Sequence, residues 1–311
     1  MIRYADRAWI PQLRQLWKTC FADEDAYIND FFEAMYEKEH VLYEEENGVL
    51  MGASFFLPAE IWQEPSASGG FWQPVRYVYA LAVWPQYRGR GIAARLLGRA
   101  REIYDAPLLA EPADRELVEG FYTPLGFAPD FYLKRATASV PHDNLRAAET
   151  DRWEQTAATA AEYRRIRDAH FKRNGYVRWP QRHIAFAIQQ HIQNGGGACI
   201  LRTDGREELV LYNLQQQDVF VTETTLPEEE AIQVLPRRIC GTCSRIIVTT
   251  AAGSGDIRTM EAAGSGDIRA AEVVAEGTQT VTGAAAGSGC FLTGMSYGLA
   301  RGYGYLNLSL D

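Results

Sequence analysis

Apolar positions along the first 140 residues follow two periods, and the places where the period changes mark out the elements. Ile2 to Tyr4 reads as a short strand, and Asp6 is an N-cap candidate for a helix carrying Leu13, Leu16 and Trp17 at helical spacing. A second helix is predicted from Asp25 to Glu37, with Phe31, Phe32, Met35 and Tyr36 as its apolar face. Two strands follow, Val41 to Glu45 and Val49 to Leu57, joined by Asn47-Gly48, a strong short hairpin signal. After a loop from Pro65 to Gly70, Trp72 is a candidate to cover a pocket edge, and Tyr77 to Val83 is apolar throughout, as expected of a buried strand.

Pro85 stops that strand, Arg88-Gly89-Arg90-Gly91 follows, and a helix bearing Ile92, Leu96 and Leu97 runs to about Tyr104. Pro107 to Ala110 is a short strand ended by Glu111-Pro112. Asp114 caps a helix through Leu117, Val118 and Phe121 to Tyr122, and a last strand covers Phe131 to Ala136. The order β-α-α-β-β-β-α-β-α-β predicts an α/β (α+β) domain with a mixed sheet flanked by helices on both faces.

The second half restarts the same pattern. One helix is expected over Asp151 to Phe171, another over Gln181 to Gln193, and strands over Ala198 to Arg202, Glu208 to Leu214 and Asp218 to Thr222. Beyond them Ala251 to Arg258 recurs as Ala262 to Arg269, with an echo from Ala285 to Gly289, which reads as a flexible insertion or a duplication. The last residues, Gly302 to Leu310, alternate like a strand. The expected division is a domain over 1–140 and a smaller α/β domain over 141–311 that holds the repeat near 250–290.

A chain of 311 residues that is 47% hydrophobic can bury a core in each half. A net charge of -9 argues against nucleic acid and mildly for a cationic partner, to which Asp23-Glu24-Asp25 and Glu44-Glu45-Glu46 could contribute. As a bland alternative, Asp23 to Asp25 is a solvated helix start. No apolar run nears the roughly 18 residues that span a bilayer, and the start lacks a signal-peptide core, so a cytoplasmic location is expected with no membrane partner. Five cysteines at irregular spacing form no disulfide framework, Cys240 and Cys243 read as ordinary thiols, and His183 and His191 lie two helical turns apart. No metal site is expected.

A strand, a glycine-bearing turn and a helix N-terminus make an anion site, because unpaired amides converge there and the helix dipole favours negative charge. Arg88 and Arg90 add positive charge, so the guest is a phosphate or pyrophosphate. The turn is neither a Walker loop nor a dinucleotide Gly-x-Gly-x-x-Gly. It resembles the Arg/Gln-x-x-Gly-x-Gly/Ala loop of the GNAT acetyltransferase superfamily, met by Arg88, Gly91 and Ala93. About 30 residues on, Phe121-Tyr122-Thr123-Pro124-Leu125-Gly126-Phe127 resembles that superfamily's Phe-Tyr-x-x-x-Gly-Phe signature.

The resemblance implies acetyl-CoA as co-substrate and a primary amine, in a small molecule or peptide, as acceptor. By position, Leu81, Ala82 and Val83 would flank the pantetheine arm, while Arg88, Gly89, Arg90, Gly91, Ile92 and Ala93 would cradle the pyrophosphate. Tyr122 would protonate the departing thiolate, or else merely pack beside Phe121 and Phe127. The base is open between Glu111, at the end of a strand, and Asp311, because the terminal carboxylate of similar two-domain members enters the first active site. The second half looks like a degenerate copy of the first, without loop or signature. An acyl-CoA- or peptide-binding module without turnover is the alternative function.

Overall fold

The computed structural model describes residues 1–64, 69–140, 152–252, 287–299 and 306. The described residues form two compact units. The first holds Met1–Pro112, Glu116–Pro129 and the segment starting at Gly294; the second holds Ala113–Arg115, Asp130–Thr293 and Leu306.

The first unit runs β1 (Ile2–Tyr4), α1 (Ile10–Phe21), α2 (Asp25–Met35), β2 (Val41–Glu46), β3 (Val49–Gln63), β4 (Phe71–Val83), α3 (Ile92–Tyr104), β5 (Leu108–Ala110), α4 (Arg115–Leu117) and the start of β6 (Ala128–Ser139). This is the mixed α/β order expected from the sequence. Its sheet has the order β1-β2-β3-β4-β5, with β4 and β5 parallel. The β2–β3 hairpin turns at Asn47 and Gly48, which take φ of 52° and 78°, as a primed turn requires. Against the sheet, Leu13, Leu16 and Trp17 of α1 and Phe31, Phe32 and Met35 of α2 are buried. Trp17 is the hub, with rings of Phe31, Phe55 and Tyr79 centred 4.8, 5.7 and 5.5 Å away.

Several boundaries differ from expectation for local reasons. Asp6 caps a single 3-10 turn (Arg7–Trp9), and α1 begins after it. Strand β3 continues through Pro58, which lies past the last β2 pair, Val41 with Phe55, where β2 asks for no ladder amide. Strand β4 therefore begins at Phe71, and Trp72 faces Trp62 across the hairpin with ring centroids 5.1 Å apart, a cross-strand pair instead of a pocket lid. The helix expected up to Tyr122 is α-helical only over Arg115–Leu117 and then becomes a π turn over Val118–Tyr122.

The second unit contains β7 (Glu154–Ala157), α5 (Ala160–Phe171), β8 (Val177–Arg178), α6 (Gln181–Gln193), β9 (Gly197–Thr203), β10 (Arg206–Gln215), β11 (Asp218–Thr224), α7 (Glu228–Leu235) and β12 (Arg245–Ala251). Strand β13 (Gly287–Tyr297) closes the described sequence of elements. The helix expected from Asp151 is instead strand β7, paired with β9, followed by α5. A capping box fixes the helix start: Thr159 accepts from the Glu162 amide, and Glu162 accepts from the Thr159 amide. The sheet has the order β7-β9-β10-β11-β12-β6, with β11 and β12 parallel and β12 antiparallel to β6.

The core of the second unit is partly ionic. Arg167 and Glu223 are 0% and 1% exposed, with Nε 3.0 Å from Oε1. Tyr163 also donates to Glu223, and Arg167 donates to the Val177 carbonyl at 2.7 Å. Desolvating two charges is costly, so the full set of hydrogen bonds is what makes this pair tolerable. Most of the repeat segment and the residues after 299, Leu306 excepted, lie outside the described residues. Among the described residues no helix is long and apolar enough to cross a membrane.

Candidate active site

The site starts from a break in pairing. Strand β4 is hydrogen-bonded to β5 only from Arg76 to Val78, opposite Leu108 to Ala110. Strand β5 then ends, and β4 continues to Val83 with no strand on that side among the described residues. On its other side β4 stays on β3, but the register slips between Ala53 and Phe55, leaving Ala80 and Leu81 opposite Ser54. Ala80 has φ of 50°, a left-handed conformation that costs a non-glycine residue roughly 1–2 kcal/mol. The bulge tightens the local twist and presents the backbone of Leu81 to Val83 along an open edge. Leu81, Ala82 and Val83, the residues named from the sequence as pantetheine contacts, lie on that edge.

Past Val83 the chain makes a 3-10 turn (Pro85–Tyr87) and enters the glycine loop. Gly89 and Gly91 have φ of 76° and 71°. A Cβ would meet nothing within 4 Å at Gly89, and only Arg95 Nη1 at 3.4 Å at Gly91. Glycine is therefore required here first by conformation, and the open space it leaves is where an anion would approach. Among the described residues, the amides of Gly89 to Ala93 donate to no backbone acceptor, so α3 begins with a row of bare donors.

Two arginines shape the loop in different ways. Arg88 turns back, with Nε 3.3 Å from the Val83 carbonyl and Nη2 3.8 Å from Cys20 Sγ. Arg90 lies over the Tyr87 ring at 5.1 Å. The residue that sequence reasoning missed is Arg95, one turn into α3. It grips Glu44 of β2 through two contacts, Nε to Oε2 at 3.1 Å and Nη2 to Oε1 at 2.7 Å, and donates Nη1 to the Arg90 carbonyl at 2.7 Å. Gly52 was also unmarked: a Cβ there would come within 2.9 Å of both the Ala82 carbonyl and Ile92 Cγ2, so β3, β4 and α3 meet at a glycine.

The acidic clusters have internal partners. Asp23 accepts from Trp17 Nε1 at 2.6 Å, and Asp25 pairs with Lys18 at 3.1 Å. Glu44 holds Arg95, and Glu45 holds Arg3 at 2.9 Å.

Tyr122 closes the π turn and is buried between Phe121 and Phe127, whose rings are centred 5.0 and 5.2 Å away. Burial pushes its phenol up to about 12, because the phenolate would lose its hydration. Its segment is tied to the loop helix, since Arg101 of α3 donates to the Leu125 carbonyl at 3.0 Å and lies over Phe127 at 5.6 Å. One helix thus supports the glycine loop at its start and the tyrosine segment near its end. Glu111 follows β5 directly and accepts from the Tyr77 hydroxyl of β4 at 3.3 Å, which places this carboxylate beside the strand that carries the bulge. Asp311 lies outside the described residues.

The remaining candidates are structural. Cys243 is buried, with its thiol pushed up to about 11 chiefly by desolvation. His191 is buried between the Ala187 carbonyl at 2.9 Å and Thr222 Oγ1 at 3.0 Å. Among the described residues no three His, Cys, Asp or Glu side chains gather as metal ligands.

Residues 1–113 match the family model described as acetyltransferase (GNAT) domain. Among solved structures, a GCN5-related N-acetyltransferase from Kribbella flavida is 14% identical, with 95% of this chain and 70% of that one covered and a TM-score of 0.62. A conserved protein from Enterococcus faecalis, described as a probable N-acyltransferase, is also 14% identical, with 95% and 72% covered and a TM-score of 0.66. Eis1 from Mycobacterium abscessus is 14% identical, with 81% and 71% covered and a TM-score of 0.57. At these identities the structural likeness speaks for the fold. No curated protein matches the chain.

Proposed function

We propose that residues 1–113, which match the acetyltransferase (GNAT) domain model, work as such a domain, and that the chain transfers acetyl from acetyl-CoA to a primary amine of a small molecule or peptide. The observation that carries this reading is the open edge of β4 beyond Val78, bulged at Ala80 and leading into a left-handed glycine loop whose amides are bare. A pantetheine arm can hydrogen-bond along such an edge as an added strand does, while the pyrophosphate meets the amides of Gly89 to Ala93. The net charge of -9 favours a cationic acceptor over an anionic one.

The chemistry then follows from the groups at hand. The neutral amine attacks the thioester carbonyl and forms the new C–N bond. The resulting oxyanion is held by a β4 backbone amide, at Ala82 or Val83. Collapse breaks the C–S bond; the phenol of Tyr122 gives its proton to the departing thiolate, and the ammonium proton leaves to Glu111, directly or through water. A phenol held near 12 is fully protonated when the thiolate departs. Tyr77 orients Glu111 by donating to its Oε2.

The test is product formation. Incubating the full chain with acetyl-CoA and a panel of primary amines (polyamines, aminoglycosides, amino acids and short peptides) should give an acetylated amine by mass spectrometry. Tight acetyl-CoA binding with no acetylated product from any class would replace this reading with that of a binding module.

A further inference from the structure

The two units repeat one topological device, and the second has altered its chemistry. In the first, β4 crosses through α3 to the parallel strand β5; in the second, β11 crosses through α7 to the parallel strand β12. The second pair is hydrogen-bonded from Asp218 to Val221, opposite Arg245 to Val248. Strand β11 then carries a register slip against β10: Leu211 faces Glu223 and Tyr212 faces Val221, so Thr222 is the extra residue. As in β4, pairing with the parallel neighbour stops just before a bulge, and the strand ends separate. Ligands of open α/β sheets bind beyond the carboxyl ends of such strands.

A cavity of about 350 Å³ opens there. Thr224, Thr225 and Thr250 come from the ends of β11 and β12, Lys134 from β6, and His170 and Arg173 from the end of α5 and the turn after it. The helix start differs sharply from that of α3. Pro227, which has no amide proton, is the N-cap where α3 has Gly91, and Glu228, Glu229 and Glu230 fill the first turn, where α3 has Ile92, Ala93 and Ala94 and no acidic residue. Lys134 is paired with Glu228 at 2.9 Å. A pyrophosphate would meet the Glu228 carboxylate in the cavity wall, with two more acidic residues next to it in the helix, so charge disfavours coenzyme A here. At about 350 Å³ the cavity is at the small end of metabolite pockets, which suits a small ligand.

With Lys134 matched to Glu228, the cavity retains Arg173, an exposed residue with no ion-pair partner among the described residues, and His170 three residues before it. Guanidinium takes a planar carboxylate through two parallel hydrogen bonds; the Thr224 and Thr225 hydroxyls are spent on Leu209 and Glu208, so the half-buried Thr250 is the threonine left to face a small polar molecule. A singly charged carboxylate is repelled less by Glu228 than a phosphate dianion is. We propose that this cavity is a second ligand site, taking a small organic acid through its carboxylate on Arg173. The proposal rests on the second unit alone and holds whether or not the first unit turns over acetyl-CoA.

Isothermal titration of the full chain with butyrate, lactate, inorganic phosphate and acetyl-CoA tests it. At least one of the two carboxylates should bind the wild type, and Arg173→Ala should weaken that binding by about tenfold or more, the loss of a charge-assisted pair. The circular dichroism spectrum and urea midpoint of the same variant should be unchanged, which shows that the exposed substitution has left the fold intact, and its acetyl-CoA titration should match that of the wild type. Absence of carboxylate binding, equal binding in Arg173→Ala, or binding of phosphate alone would overturn the proposal.

Discussion

Arg95 and Glu44 stand 51 residues apart and form a two-point ion pair at 2.7 and 3.1 Å, while the third arm of the same guanidinium holds the Arg90 carbonyl. The glycine loop is thus tethered to β2 through α3. Arg95→Ala is expected to raise KM for acetyl-CoA by about tenfold with a smaller change in kcat, because loop order is lost before chemistry is touched. Glu44→Gln should show the same split more weakly. Steady-state kinetics with acetyl-CoA varied will check it; a change in kcat alone would mean that the pair does not position the loop.

Gly91→Glu should abolish acetyl-CoA binding. The position has φ of 71°, caps α3, and would carry a carboxylate into the space before the loop amides, where the proposed pyrophosphate would sit. Gly91→Ala separates the two effects: the strained backbone remains while the added charge is gone, so its affinity should fall between wild type and Gly91→Glu in calorimetric titration.

Tyr122→Phe is expected to lower kcat by about a hundredfold and leave acetyl-CoA affinity intact, the size of effect usual for general acid catalysis. The phenol is pushed up to about 12, so the neutral donor persists through pH 8 to 10, and loss of Tyr122 protonation should put no falling limb into that range of the kcat profile. An unchanged kcat in the variant would leave Tyr122 a packing residue.

Acid should weaken the second unit through His191. Burial disfavours the imidazolium, which sets the folded pKa below the ordinary 6.5. The unfolded chain therefore takes the proton first as pH falls, so stability is complete above about 6.5 and declines below it. Denaturant unfolding between pH 7 and 5 should show this decline, and His191→Gln should flatten it.

Arg167→Ala should destabilise the second unit by about 3–5 kcal/mol, since Glu223 would be left charged at 1% exposure. Arg167→Ala with Glu223→Gln should recover part of that loss. Urea unfolding of both variants will decide; a single-variant effect below about 1 kcal/mol would mean that water reaches Glu223.

What could be read in the chain was whatever depends on near neighbours. The 3.6-residue spacing of Leu13, Leu16 and Trp17 and the Asn47-Gly48 turn are local, and they reappear as buried helix face and left-handed turn. The Arg88 to Ala93 loop and the Phe121 to Phe127 run are also local, and each occupies the predicted kind of element end. Three features of the site are not local. Ala80 has no residue type that signals a left-handed φ; its conformation comes from the register of β3 against β4. Gly52 matters only because the Ala82 carbonyl and Ile92 approach it from other elements. Glu44 looked like part of an acidic run until the fold brought Arg95 to it. The strand Glu154–Ala157 was hidden for a related reason: its polar residues pair at the edge of β9, while the helix signal belongs to the residues after Thr159.

The most direct measurement is thiol release by the full chain with acetyl-CoA and the amine panel, run beside Gly91→Glu. The account predicts amine-dependent release of coenzyme A thiol by the wild type with at least one primary amine, and none by Gly91→Glu. Release that survives unchanged in Gly91→Glu, or a wild type that binds acetyl-CoA and releases no thiol with any amine, would contradict it.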